Sequence, residues 1–268
     1  MKIGKATIPV TSISTSNSET IVVRGRDLCQ ELIGVASFTD YFHFLVLGRM
    51  PDAKARHVLD ATLVAIAEHG LVPSVQASRM TYAAAPDALQ GAVAAGILGC
   101  GSVILGASEA AGALLDTIRQ RAHDGQGDIA TAARAVVREY RAAGKAIPGY
   151  GHPLHKARDP RVARLIEIAR EQAIDTTYVD IALALEPAIE EVVGKPLKLN
   201  VSAAIPALLL GIGFPIPALK GVPVLARTAG LIGHLVEEAV RPIGFALSYQ
   251  ASQAVEYDGD VPAGYQAG

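Results

Sequence analysis

Residues 146–161 read Ala-Ile-Pro-Gly-Tyr-Gly-His-Pro-Leu-His-Lys-Ala-Arg-Asp-Pro-Arg. The stretch sets one imidazole, His152, in a glycine- and proline-rich turn, where Gly149 and Gly151 let the backbone approach a ligand closely. Asp159-Pro160-Arg161 then opens a helix, with an aspartate suited to the N-cap, a proline suited to the first turn and a guanidinium beside that turn. A general acid and an anion clamp would share one helix entrance. The competing structural reading is a turn histidine that caps its own neighbours.

Working outward, half of the 268 residues are hydrophobic, Trp is absent and Gly numbers 26. That composition can bury a large core and favours closely packed helices over a sandwich or a barrel. The net charge of −2 makes no electrostatic case for nucleic acid or an acidic membrane. Cys29 and Cys100 stand far apart with no second ligand cluster, so neither a disulfide framework nor a metal site is expected. No basic and then apolar leader opens the chain, and the expected location is the cytoplasm. Residues 88–108 and 201–219 carry no charge and are long enough to span a bilayer. Glycines interrupt the first and Pro206, Pro215 and Pro217 the second, so both read as buried helices at a core or subunit interface rather than as membrane spans.

Residues 1–24 alternate polar and β-branched side chains and predict short strands. Beyond Arg24-Gly25 the pattern is helical. Ser37 caps a helix reaching Gly48, Pro51-Asp52 opens one reaching Gly70, and further helices are expected over 73–84, 86–122, 128–143, 160–173, 178–193, 201–212 and 222–239. The tail after Asp258 is polar and reads as loosely held. No flexible linker divides the chain, so a second domain would have to be an insertion within the first.

The Pro-Gly-Tyr-Gly-His turn followed at this spacing by Asp-Pro-Arg resembles the signature of the citrate synthase family. Four further segments match it in order: Arg24-Gly25-Arg26-Asp27-Leu28 with Ser37-Phe38 and Leu47-Gly48-Arg49-Met50-Pro51, then Glu68-His69-Gly70-Leu71-Val72-Pro73-Ser74, then Ala94-Ala95-Gly96-Ile97, and finally Val224-Leu225-Ala226-Arg227-Thr228-Ala229-Gly230 with Arg241-Pro242. The resemblance implies an all-α fold with a large domain (1–109 and 206–268) and a small inserted one (110–205). It also implies a homodimer in which Arg241 reaches the partner's site. His152 and His69 would polarise an oxo-acid, and Arg161, Arg227 and Arg241 would hold carboxylates, tasks suited to imidazole donors and permanently charged forks. Lys156 and Arg158 would meet CoA phosphates, with solvated charges as the alternative.

Two departures bear on chemistry. Family members that condense acetyl-CoA carry a histidine in a Leu-His-Gly-Gly stretch, where this chain reads Ser102-Val103-Ile104-Leu105-Gly106. The family's basic aspartate, in an Asn-Val-Asp triplet, is here Ser202, and an unactivated serine accepts no proton at neutral pH. Glu109, His155 and Glu237 are possible substitutes. Short family members of this length resemble citryl-CoA lyases, which implies cleavage of citryl-CoA to acetyl-CoA and oxaloacetate, with no metal or redox cofactor and with CoA arriving as part of the substrate. The rival readings are a non-catalytic homologue that binds acyl-CoA or a dicarboxylate, and an enzyme of this fold acting on a different CoA ester.

Overall fold

The computed structural model of the chain describes residues 9–101, 105, 107–125, 127–151 and 159–265. Helices dominate these residues, as expected, and three short strands form one antiparallel sheet. β1 (Ser14–Ser16) pairs with β2 (Ile21–Val23), and β2 with β3 (Arg26–Asp27). Between β2 and β3, Arg24 and Gly25 take φ of 50° and 82°, the pair of positive values that suits the twist of a two-residue hairpin turn. The first residues of the expected strand region, 1–8, lie outside the described residues.

The chain forms two compact units. The first comprises Met1–Ile66 and Leu105–Pro223. Its α1 (Phe38–Leu47) begins at a capping box in which Ser37 and Asp40 satisfy each other's backbone N–H groups. Asp52 caps α2 (Ala53–Ala67), its carboxylate accepting from the N–H of Ala55 at 2.8 Å. The segment expected as an inserted domain, 110–205, lies within this unit. It holds most of α5 (Ala107–His123), all of α6 (Ile129–Ala142), α7 (Pro160–Glu171) and α8 (Thr177–Val193), and the start of α9 (Val201–Gly211).

Helix α9 packs against α5, α7 and α8, and its residues 203–209 are all buried. A helix apolar on every side has to be surrounded by protein or lipid. Here protein surrounds it: a Cβ added to Gly112 of α5 would lie 2.2 Å from the Leu219 side chain and 3.4 Å from Pro206. Among the described residues no helix is long and apolar enough to cross a membrane.

The second unit comprises Ala67–Ile104 and Val224–Gly268. In it α3 (Pro73–Ala84) packs on α4 (Leu89–Leu98) and on α11 (Gly244–Gln253), and α10 (Gly221–Val240) buries Leu231 and Leu235. A Cβ on Gly96 would meet Leu231 at 2.6 Å and the Ser74 carbonyl at 2.9 Å, so α4 uses its missing side chain to lie close to both neighbours.

Two helical expectations need correction. The single helix predicted over 86–122 is two helices, α4 ending at Leu98 and α5 beginning at Ala107. The break follows from Gly99 and Gly101, each about 1 kcal/mol worse than alanine inside a helix, and the last turn tightens as the N–H of Cys100 donates to the Ile97 carbonyl. Helix α11 has no counterpart in the sequence pattern, because Phe245 and Tyr249 are exposed and only Gly244 is buried, leaving no apolar period to detect. It is held from outside: Glu238 accepts from the N–H groups of Ile243 and Gly244 at 2.9 and 2.7 Å.

Candidate functional site

In the first unit the glycine turn that precedes His152 is tied to the start of α9. The N–H of Asn200 donates to the Gly149 carbonyl at 2.9 Å, the Asn200 amide donates to the Gly151 carbonyl at 2.6 Å, and the N–H of Gly151 donates to the Lys198 carbonyl at 2.8 Å. Asn200 is also the N-cap of α9, its side-chain oxygen accepting from the N–H of Ser202 at 2.8 Å. The Pro-Gly-Tyr-Gly turn and the Asn-Val-Ser triplet, where the chain departs from the family pattern, are therefore one hydrogen-bonded structure although some 50 residues apart.

Gly149 has φ of +84°, and a Cβ there would fall 2.2 Å from that of Ala203. Gly151 has φ of +80° with its nearest neighbour, Leu197, at 3.6 Å. The first glycine is thus required by α9 as well as by the turn, whereas the second is required by backbone conformation. Between them Tyr150 donates its hydroxyl to the Ala182 carbonyl at 2.7 Å, and burial pushes its ionisation well above the ordinary value. Ser202 is half-buried, and its hydroxyl makes no hydrogen bond to a described residue.

Asp159 caps α7 and takes up Arg161 as well. Its carboxylate receives Nε of Arg161 at 3.0 Å and Nη2 at 2.8 Å, a two-pronged pair with the aspartate side chain fully buried. Nη1 of Arg161 reaches the Ala65 carbonyl only at 3.4 Å. The guanidinium is pre-oriented and partly neutralised, with remaining N–H capacity on its outer edge for an incoming carboxylate.

The second unit holds a longer chain of polar contacts. Glu68 accepts from the backbone N–H groups of His69 and Gly70, and its other oxygen stands 2.9 Å from Nε2 of His234, off the line of a well-directed hydrogen bond. Burial would raise the Glu68 carboxyl, but His234 and these N–H groups outweigh it and hold it below its ordinary value. Arg79 of α3, only 2% exposed, donates from Nε to Glu238 at 2.6 Å, from Nη1 to Glu237 at 2.8 Å and to Nδ1 of His234 at 3.3 Å, and from Nη2 to the Arg241 carbonyl at 3.2 Å. His69 is half-buried and Arg241 exposed.

Arg227 is different from both other arginines. It is 3% exposed, and its Nε and Nη1 are buried with no hydrogen-bond partner among the described residues. Desolvating donors of a permanent cation without an acceptor is costly. A carboxylate supplied by a ligand is the natural remedy.

The catalytic candidate His152 and the CoA candidates Lys156 and Arg158 lie outside the described residues, as do Ile104 and His155. Of the possible substitute bases, Glu109 is exposed and Glu237 is paired with Arg79. Sequence reasoning missed Arg79, His234 and Glu238. The spacing of Arg227, Leu231, His234 and Glu238, one face of α10, was a usable signal.

The family model described as citrate synthase, C-terminal domain, matches residues 36–243. Citrate synthase from Synechocystis sp. is 28% identical over 207 residues, which cover 75% of this chain and 49% of that protein. The chain spans about half the length of the curated relatives it matches. Among solved structures, citryl-CoA lyase from Hydrogenobacter thermophilus is 31% identical with a TM-score of 0.83, over 97% of this chain and 98% of that one. ATP citrate lyase from Methanosaeta concilii, in complex with (3S)-citryl-CoA, shares the fold at a TM-score of 0.77 and 24% identity, over 98% of this chain and 43% of that one.

Proposed function

Because the chain belongs to the citrate synthase family, we propose that it is a carbon–carbon lyase that cleaves citryl-CoA to acetyl-CoA and oxaloacetate. The observation that carries this reading is Arg227, a buried guanidinium whose Nε and Nη1 have no partner among the described residues and which fits a substrate carboxylate. The end-to-end similarity to a citryl-CoA lyase supports that reaction over citrate formation.

In this reading Arg161, Arg227 and, from a second copy, Arg241 hold the carboxylates of the oxo-acid portion. His152 takes the proton from the substrate hydroxyl, assisted by His69. The neighbouring carbon–carbon bond breaks as that oxygen becomes the carbonyl of oxaloacetate, and the bonding electrons pass into the thioester enolate of acetyl-CoA. A proton returned to the enolate carbon completes the reaction. At that point the residue at position 202 helps to give a proton rather than remove one, and a serine hydroxyl relaying from water can do so. Lys156 and Arg158 are assigned to the CoA phosphates, and CoA is a substrate portion rather than a resident cofactor.

A homodimer is supported by the exposed apolar stripe of Ile232, Val236 and Val240 on α10, with Phe245 and Tyr249 on α11. The small domain is assigned to 110–205, closing on the substrate. A cytoplasmic location accords with two free cysteines, Cys29 and Cys100.

The unactivated Ser202 hydroxyl favours a second reading, a homologue that binds an acyl-CoA or dicarboxylate without turnover. Incubating the purified protein with citryl-CoA separates the two. Cleavage abolished by His152→Ala supports the lyase, tight binding without cleavage supports the binder, and neither result points to a different CoA ester.

A further inference from the structure

We propose that Arg79 is a positioning residue that holds His69 and Arg241 in register with each other. From the functional reading above it takes only the roles of those two residues. The geometry stands on its own.

An arginine side chain donates and never accepts. Nδ1 of His234, 3.3 Å from Nη1 of Arg79, must therefore turn its lone pair towards the guanidinium, which puts the ring hydrogen on Nε2. That nitrogen faces the Glu68 carboxylate at 2.9 Å. Glu68 in turn gathers the N–H groups of His69 and Gly70, and so fixes the turn that presents His69, with Gly70 at φ of +79°. Arg79 thus sets the tautomer of His234, whose Nε2–H lies beside the Glu68 carboxylate in a close charge contact rather than a directed hydrogen bond, next to the His69 turn.

The other edge of the same guanidinium works on Arg241. Nη2 donates to the Arg241 carbonyl, and Nε anchors Glu238, whose second oxygen receives the N–H groups of Ile243 and Gly244. The Arg241-Pro242 corner is clamped on both sides. Arg79 and Glu238 side chains are only 3% and 1% exposed. A buried ion pair is weak support for stability, since well-packed apolar residues often serve as well. What apolar residues cannot supply is three directed donors in one plane, aimed at Glu238, His234 and the Arg241 carbonyl. A lysine supplies the charge from a single nitrogen and cannot satisfy that arrangement.

The test compares Arg79→Lys with wild type, and His234→Gln with His234→Ala. The readouts are the circular dichroism spectrum, oxaloacetate affinity by calorimetry, kcat and KM for citryl-CoA, and nitrogen-15 spectra of the imidazoles assigned by single histidine substitutions. Arg79→Lys should keep the helical spectrum, weaken oxaloacetate binding at least tenfold, raise KM more than it lowers kcat, and shift the resonances of both His234 and His69. Glutamine at position 234 keeps a polar N–H close to the Glu68 carboxylate, so it should recover affinity to within threefold of wild type where alanine does not. A folded Arg79→Lys protein with wild-type affinity and an unmoved His69 resonance overturns the proposal. If Arg79→Lys fails to fold, equal behaviour of the glutamine and alanine variants overturns it instead. Should wild type neither bind oxaloacetate nor cleave citryl-CoA, the functional reading fails, and the His69 resonance still decides the coupling.

Discussion

Replacing Arg227 by methionine should push stability and ligand binding in opposite directions. Nε and Nη1 of Arg227 are buried without a partner among the described residues, and each such donor costs about 1–3 kcal/mol. Methionine fills a similar length with apolar atoms and removes both penalties. Taking only the low end, about 2 kcal/mol, and roughly 2–4 °C per kcal/mol for a chain of this size, the ligand-free melting temperature rises by roughly 4–8 °C. The same change deletes a two-pronged contact to a carboxylate, worth about 1.5–3 kcal/mol per charge-assisted bond. Oxaloacetate affinity should therefore fall by roughly 10²–10⁴-fold. Scanning calorimetry with and without oxaloacetate reads both effects, because a ligand that binds only the folded state raises its melting temperature. A variant that melts lower than wild type and keeps its full ligand-induced shift would refute the reasoning, since Arg227 would then be a structural cation.

Four further outcomes are expected. Citrate formation from acetyl-CoA and oxaloacetate should run at least tenfold slower than in an ordinary citrate synthase, because a positioned base contributes about 10²–10⁴-fold; a coupled CoA-release assay measures it, and rates within tenfold would contradict the assignment of Ser202. Mixing inactive His152→Ala and inactive Arg241→Ala subunits should restore some citryl-CoA cleavage if the two residues act from different chains, and no recovery in proven heterodimers removes the shared site. Gly149→Ala should cost about 2–5 kcal/mol in a denaturant titration, from a left-handed backbone and an overpacked contact with Ala203. Burial raises the Glu238 carboxyl, but Arg79 and the N–H groups of Gly244 and Ile243 hold it below its ordinary value of 4.5. A carboxyl depressed in the folded state stabilises above that value and loses its contribution as pH falls below it, so Glu238→Gln should weaken the protein at neutral pH by about 3–5 kcal/mol and flatten the acid limb of its stability profile.

The sequence by itself determined whatever depends on residues a few positions apart. Ser37 and Asp40, and Asp159 and Arg161, each meet across two or three residues, so the starts of α1 and α7 were legible as caps. The period of buried residues in α6 and α7 was legible for the same reason. The order of short motifs was enough to suggest the family before any coordinates.

Tertiary structure decided what those local signals mean together. Arg79 and Glu238 lie 159 residues apart, and a lone charge within a helical pattern reads as a solvated face until a second helix is laid against it. Gly149 looked like room for a ligand and turned out also to be room for Ala203. Helix α11 has no apolar period of its own and exists because Glu238 and α3 hold it. Arg161 and Arg227 are alike as letters, yet one is answered by the carboxylate of Asp159 and the other keeps two buried donors that no described residue answers. Local periodicity and capping fix elements because their energies act within a turn or two. Which charges end up buried, and which are left without a partner, depends on which elements meet, and that is settled only when the chain packs.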